Sequence, residues 1–289
     1  MGTAPWIAIC LCAGMAMAQQ MSPEDLQRLR ELLAKPVVYS VPGMDKVQVT
    51  ENLVYRTDGQ TSLQMNVYRP AGLAKKERRP AVFFLHGGVP PSGLSTLPKP
   101  IEWGVYRTYG QLMGASGLIG VTFNQRVGHG AEIGFADVRA AIDYVRTHTA
   151  ELNIDPDRYC LAAYSAGGPL LAVGIGDPQP ALRCMVGFYS VLDIQPPITP
   201  DRAQFSPIEQ LKLHAAKLPP ILIARAGNDS PALNATIDRF VAEALSHDVP
   251  IEVHNIKGVP HAFDVQSPTP EVRAVIARTI AFLKENLEK

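Results

Sequence analysis

Cysteine is scarce in this chain, with four in 289 residues: Cys10, Cys12, Cys160 and Cys184. No C-x-x-C pair occurs, and the seven histidines show neither H-x-H nor H-E-x-x-H spacing. Neither a metal site nor a dithiol redox motif is therefore indicated. G-x-G-x-x-G and Walker-type glycine loops are also missing, so no nucleotide cofactor is expected. Charge of one sign is lacking as well: 27 basic residues stand against 27 acidic ones. Such a balance leaves no global field to steer nucleic acid. The one basic cluster, "KKERR" at 75–79, sits in a polar stretch before an apolar run and reads as a solvated loop. There is no internal repeat, low-complexity tract or linker.

What the chain does have is 46% hydrophobic residues, a composition that supports one large core. Its first twenty residues, "MGTAPWIAICLCAGMAMAQQ", hold an apolar run of signal-peptide length followed by Ala16-Met17-Ala18, a small-x-small cleavage pattern. The expectation is a signal peptide over 1–18, a mature chain from Gln19 and export to a periplasmic or secreted location, with no stable membrane span afterwards. No Lys or Arg precedes the run, and an uncleaved anchor is the alternative; the run is short for a span. Cys10 and Cys12 lack the preceding small residue of a lipoprotein signal. In the mature chain Cys160 and Cys184 remain. Two buried free thiols are expected, because neighbouring parallel strands rarely offer disulfide geometry, with a bridge as the alternative in an oxidising compartment. N-x-S/T sequons start at Asn228 and Asn234.

Ser22 followed by "PEDLQRLRELLAK" predicts a capped helix, part of an N-terminal helix and arm over 19–46. "KVQVTENLVYR", the Asp58-Gly59 turn and "TSLQMNVYRP" predict a β-hairpin. Beyond residue 80, short fully apolar runs alternate with helical periods: "AVFFLH", a helix near 105–115, "LIGVTFN", a helix near 132–149, "YCLAAY", a helix after Ser165, "CMVGFYS", "PILIARAG", a helix near 231–246, "IEVHNI" and a final helix from about 270. Strands apolar on both faces and separated by helices predict an α/β fold, with a mostly parallel sheet covered on both sides. Residues 191–218, rich in proline and polar residues, read as a small cap excursion within one domain over 47–289.

In such a sheet, ligands bind beyond the carboxyl ends of strands. After "AVFFL" comes His86-Gly87-Gly88-Val89, a turn able to aim backbone N–H groups into a cleft. In "YCLAAYSAGGPLLAVG" the strand ends on Ser165, flanked by the small residues Ala163, Gly167 and Gly168. Two readings are open there: small residues for close packing, or a nucleophile elbow that exposes the serine hydroxyl. Asn228 and Asp229 follow "PILIARAG", and His261 follows "IEVHNIKGVP". Serine, acid, histidine is one of the chain orders in which acyl-transfer triads occur. The intervals leave room for the intervening helices and strands.

From about residue 47 onward the chain resembles the α/β-hydrolase superfamily, in particular its carboxylesterase and hormone-sensitive-lipase-like or feruloyl-esterase-like branch. The resemblance rests on "NVYRPAG", "FFLHGG", "DVRAAIDYVR", "NIDPDRYCLAAYSAGG", "AGNDSPALN" and "GVPHAFD". Ala163 replaces the first elbow glycine, as in some bacterial lipases of the superfamily, and "HGGV" is one glycine short of HGGG. The resemblance implies an α/β-hydrolase fold and a serine esterase without cofactor. In it Ser165 is the nucleophile, His261 the base and Asp229 the acid, with an oxyanion hole from the N–H groups of Gly88, Val89 and Ala166. Its substrate is expected to be a small-molecule or polysaccharide-linked ester. His86 is expected to orient its own turn. Asp193, after the strand that follows the elbow, is a competing acid, and Asp264 is expected to make local hydrogen bonds. A non-catalytic binding protein, or a peptidase or thioesterase with the same residues, is the alternative function.

Overall fold

The computed structural model describes residues 22–88, 97–127, 129–194 and 197–288. Helix α1 (Pro23–Ala34) begins as its sequence dictates: Ser22 Oγ accepts from the Asp25 N–H, and Pro23 takes the first helical position, where a missing N–H costs nothing. The hairpin of β1 (Gln48–Asp58) and β2 (Thr61–Arg69) closes through Gly59 and Gln60, since Asp58 pairs with Thr61.

After it, strands and helices alternate. In chain order these are β3 (Arg79–Leu85), α2 (Gly104–Ala115), β4 (Ile119–Phe123), α3 (Ala131–Thr147), the single turn α4 (Thr149–Leu152), β5 (Ile154–Tyr164), α5 (Ala172–Gly176) and β6 (Leu182–Phe188). Then follow α6 (Pro200–Ala203), α7 (Pro207–His214), β7 (Ile221–Ala226), α8 (Pro231–Ser246), β8 (Ile251–Ile256), α9 (Phe263–Gln266) and α10 (Pro270–Leu287). The sheet order is β1-β2-β4-β3-β5-β6-β7-β8. It is antiparallel through β1, β2 and β4, and parallel from β4 onward.

Alternate strand residues feed two cores. Phe83, Leu85, Leu161 and Met185 pack on one face with residues of α3, α5, α7 and α8. Val82, Phe84, Cys160 and Val186 pack on the other with α1, α2 and α10. Fully burying each large apolar side chain contributes about 1.5–3 kcal/mol. Among the described residues no helix is long and apolar enough to cross a membrane.

Two expectations are corrected. Cys160 and Cys184 are not free thiols: they form a disulfide between β5 and β6, with Cα atoms 4.8 Å apart. A one-residue slip between Tyr159–Leu182 and Cys160–Cys184 in the pairing sets the two cysteines side by side, within the range a disulfide can span. The segment after Ser165 is also not α-helical at first, since residues Ser165–Leu171 form a 3₁₀ turn before α5. Pro169 has no N–H to give the Ser165 carbonyl. That carbonyl instead accepts from the Val191 N–H at 2.9 Å.

Candidate active site

The carboxyl ends of β3, β5, β7 and β8 converge. At the end of β5 the chain reverses on Ser165, which has a positive φ of 51°. A non-glycine residue holds this left-handed conformation only where its surroundings impose it. They do so through close packing. A Cβ on Gly167 would lie 2.5 Å from the Leu85 carbonyl oxygen, and one on Gly168 2.2 Å from that of Val191. Ala163, where the resemblance expects glycine, is fully buried, and its methyl group is accommodated because its partner on β6 is Gly187.

His261 arrives from the loop after β8, turned by Ala262 in the left-handed region at φ 53°. Its Nε2 is 2.9 Å from Ser165 Oγ, and its Nδ1 is 2.6 Å from Asp229 Oδ2. Asp229 follows β7 at the head of α8, and its Oδ1 accepts from the Ser230 N–H at 2.7 Å. The helix N-terminus favours the carboxylate there. Asn228 fixes the loop from the other side by donating its N–H to the Val259 carbonyl at 2.9 Å. The structure thus brings Ser165, His261 and Asp229 into one hydrogen-bonded line. The rival acid is engaged elsewhere: Asp193 accepts from Arg239 at 2.9 Å and from the Ser206 hydroxyl at 3.3 Å, tying the excursion to α8.

The glycine turn after β3 lies against this elbow. A Cβ on Gly88 would come within 3.4 Å of the Ala166 methyl group. Ala166 is near the start of the 3₁₀ turn, where N–H groups have no partner within the helix. Val89, the third expected donor, lies outside the described residues. The Gly87 N–H is engaged, donating to Tyr106 Oη at 2.8 Å. His86 holds the turn from below. Its Nε2 accepts from the Gln125 N–H at 3.1 Å, so Nδ1 carries the proton and donates to the Gly87 carbonyl at 2.6 Å. Burial lowers the His86 pKa to about 4, which keeps the ring neutral and this tautomer in place.

Sequence reading missed the supporting shell. Tyr106 on α2, Gln125 after β4 and Tyr189 after β6 carry no motif, and only the fold brings them to the site. Asp264 makes long-range bonds where local ones are expected: it accepts from Tyr109 and Tyr189, 155 and 75 residues away in the chain. Of the sequon asparagines, Asn234 is buried and donates to the Ala226 carbonyl at 3.0 Å, while Asn228 is exposed.

No curated protein matches the chain. Among solved structures, a propionate-bound thermophilic esterase from the planctomycete Thermogutta terrifontis superposes with a TM-score of 0.68 at 23% identity, covering 84% of this chain and 96% of that one. Its butyrate-bound form gives 0.64 at 22%, covering 84% and 94%. The same enzyme, esterase 2, phosphoramylated by tabun, gives 0.65 at 23%, again covering 84% and 94%. The BD-FAE family model matches residues 65–177, the stretch from β2 to the end of α5. The chain has the α/β-hydrolase fold, with a BD-FAE match over residues 65–177.

Proposed function

We propose that the protein is a serine esterase that cleaves carboxylic esters through an acyl-enzyme. The observation that carries this reading is the line from Ser165 Oγ through His261 to Asp229, at 2.9 and 2.6 Å. Ser165 attacks the ester carbonyl while His261 Nε2 takes its proton and returns it to the leaving alcohol. Asp229 holds the Nδ1–H tautomer and stabilises the imidazolium. The tetrahedral oxyanion is received by the Ala166 and Gly88 N–H groups, with Val89 the third donor. Each such donor contributes about 3 kcal/mol to the transition state. Water then repeats the cycle on the acyl-enzyme.

The substrate is a small-molecule or polysaccharide-linked ester. Propionate and butyrate, bound by the Thermogutta terrifontis esterase, favour short acyl chains as the first to test. We also propose that residues 1–18 are a signal peptide, that 191–218 are a small cap and that the enzyme works after export. The Cys160–Cys184 bridge supports export, since such bonds persist in oxidising compartments. An intact mass beginning at Gln19 would check the cleavage site.

The deciding experiment treats folded protein with a fluorophosphonate and measures hydrolysis of p-nitrophenyl esters of increasing acyl length, acetylated xylan and feruloyl esters. A single adduct on Ser165 with turnover of at least one ester is the expected result. No adduct and no turnover would replace the esterase with a ligand-binding protein.

A further inference from the structure

Three residues after His261 the chain buries a carboxylate. Asp264, on the short helix α9, is completely inaccessible. Its Oδ1 accepts from Tyr189 Oη at 2.8 Å and its Oδ2 from Tyr109 Oη at 2.9 Å. Its peptide carbonyl accepts from the Val38 N–H at 2.7 Å, so the N-terminal arm also fastens this loop. The ionisable groups around the carboxylate come from four places: Tyr106 and Tyr109 from α2, Tyr164 from the end of β5, Tyr189 from beyond β6, and His261 from its own loop. Burial pushes all four phenols up and the Asp264 charge adds to it, against the Gly87 N–H bond at Tyr106, so they stay neutral. Burial also raises the Asp264 carboxyl to about 6, while the two phenol hydrogen bonds and the His261 charge pull the other way.

This arrangement costs stability at neutral pH. The folded carboxyl ionises at a higher pH than the ordinary value of 3.8, so the unfolded chain loses its proton first as pH rises. Stability therefore falls between about pH 4 and pH 6 and stays lower above that range. A buried charge held by neutral donors calls for a purpose other than packing. The surroundings supply one. The ring of Tyr189, whose hydroxyl binds Asp264, stands edge-on against the His261 imidazole with centroids 4.7 Å apart.

Resting on the esterase reading, we propose that Asp264 is a positioning residue for His261: through Tyr189 it fixes the ring that walls the imidazole, and its buried charge favours the imidazolium formed during proton transfer. The line to Asp229 orients the imidazole in its plane, and the Asp264–Tyr189 contact holds it from the side. Proton transfer then occurs near two carboxylates, one in direct contact and one acting through a phenol.

The test is Asp264→Asn in the full chain. Asparagine keeps the size and can still bond both phenols but removes the charge. Three results are expected together. The melting temperature at pH 7.5 stays level or rises. The kcat for p-nitrophenyl acetate falls about tenfold with KM changed less than about twofold. The acid limb of the kcat profile moves to lower pH. A merely structural Asp264 would instead lower the melting temperature and leave the acid limb in place, and that outcome overturns the proposal. If Asp264→Asn does not fold, Tyr109→Phe replaces it. That change withdraws one donor from Oδ2 without touching the Tyr189 contact, and should move the same limb in the same direction by less. The His261 imidazole resonances, followed by NMR against pH without substrate, separate this test from the esterase reading. Wild-type protein that hydrolyses no ester would refute that reading, whereas an unmoved His261 titration in both variants would refute the role of Asp264.

Discussion

The two faces of the central sheet each bury an apolar core but differ in the polar atoms placed among them. Under α3, α5, α7 and α8 the core is Leu, Ile, Val, Ala, Met and Phe, with two tyrosines, Tyr55 and Tyr159. Under α2 and α10 it includes Trp103, Tyr106, Tyr109, Tyr164 and Tyr189, all buried. Three of those phenol hydroxyls reach groups beside the site: Tyr106 meets the Gly87 N–H, while Tyr109 and Tyr189 meet Asp264. Burying a hydroxyl with its partner gives a net gain of only about 1 kcal/mol, and leaving the partner alone costs more. The second face therefore gains little stability from these groups. What it gains is a defined position for the glycine turn and the histidine loop. One face mainly supports the fold, and the other also positions the loops of the candidate site.

This division can be broken by mutation. The largest effect is expected at the line itself. Ser165→Ala should lower kcat by about 10⁶, by analogy with the loss of a protease nucleophile, while the melting temperature stays close to that of the wild type. An active Ser165→Ala enzyme would remove the esterase mechanism and with it the alignment role of the second face. Asp229→Asn comes next. Asparagine can hold the imidazole in the wrong tautomer, and kcat should fall about 10⁴-fold, equivalent to about 5.5 kcal/mol of transition-state stabilisation. Asp193→Asn is its control. The Asp193 carboxylate serves Arg239 and Ser206, so turnover should stay within severalfold of wild type.

A core truncation on the first face should behave in the opposite way. Phe83 is fully buried and stands edge-on to Phe123 and Tyr159. Phe83→Ala should remove about 3–5 kcal/mol of unfolding free energy in urea, leaving the kcat of the folded fraction near wild type. A rate loss larger than the loss of folded protein would show that this face also sets the site.

The sequence was most legible where one residue type has one physical use. Apolar runs bounded by helical periods located all the parallel strands to within a few residues, except that β5 begins at Ile154, five residues before "YCLAAY". The charged stretch before Tyr159 hid that start. Ser22 and Pro23 marked a helix start, the serine through the hydrogen bond its side chain accepts and the proline because no N–H is needed at that position. Ser165, Asp229 and His261 stood out because each follows an apolar run. Other features depended on register or on the third dimension. The disulfide turned on a one-residue slip, which leaves no trace in composition. Pro169 was in view, but its consequence, a 3₁₀ turn with the Ser165 carbonyl passed to Val191, required knowing that Val191 lies opposite. Tyr106, Tyr109 and Tyr189 looked like ordinary core aromatics. Their hydroxyls found partners only once α2, which carries Tyr106 and Tyr109, and the turn after β6, which carries Tyr189, met the loops after β3 and β8.

The smallest expected effect gives the sharpest test of the two faces, because it uses one chemical change on each. Tyr106 and Tyr55 each bury a ring and offer one hydroxyl to a backbone group: Tyr106 accepts from the Gly87 N–H at 2.8 Å, and Tyr55 donates to the Asn124 carbonyl at 2.7 Å. Substituting phenylalanine preserves the ring and leaves that backbone group without its partner. Both variants should lose about 1–2 kcal/mol, a drop of a few degrees in melting temperature for a domain of this size. Their kinetics should differ. Gly87 precedes the proposed oxyanion donor Gly88, so Tyr106→Phe lets that donor drift. Because an oxyanion contact strengthens towards the transition state, kcat should fall about fivefold with KM nearly unchanged. The Asn124 carbonyl belongs to the peptide unit whose N–H, on Gln125, donates to His86, so Tyr55 acts on the glycine turn only at second hand, and Tyr55→Phe should lower kcat by less than about twofold once corrected for folded protein. Equal kcat losses in the two variants would mean that both faces hold the site, and the division drawn here between supporting and aligning layers would fail.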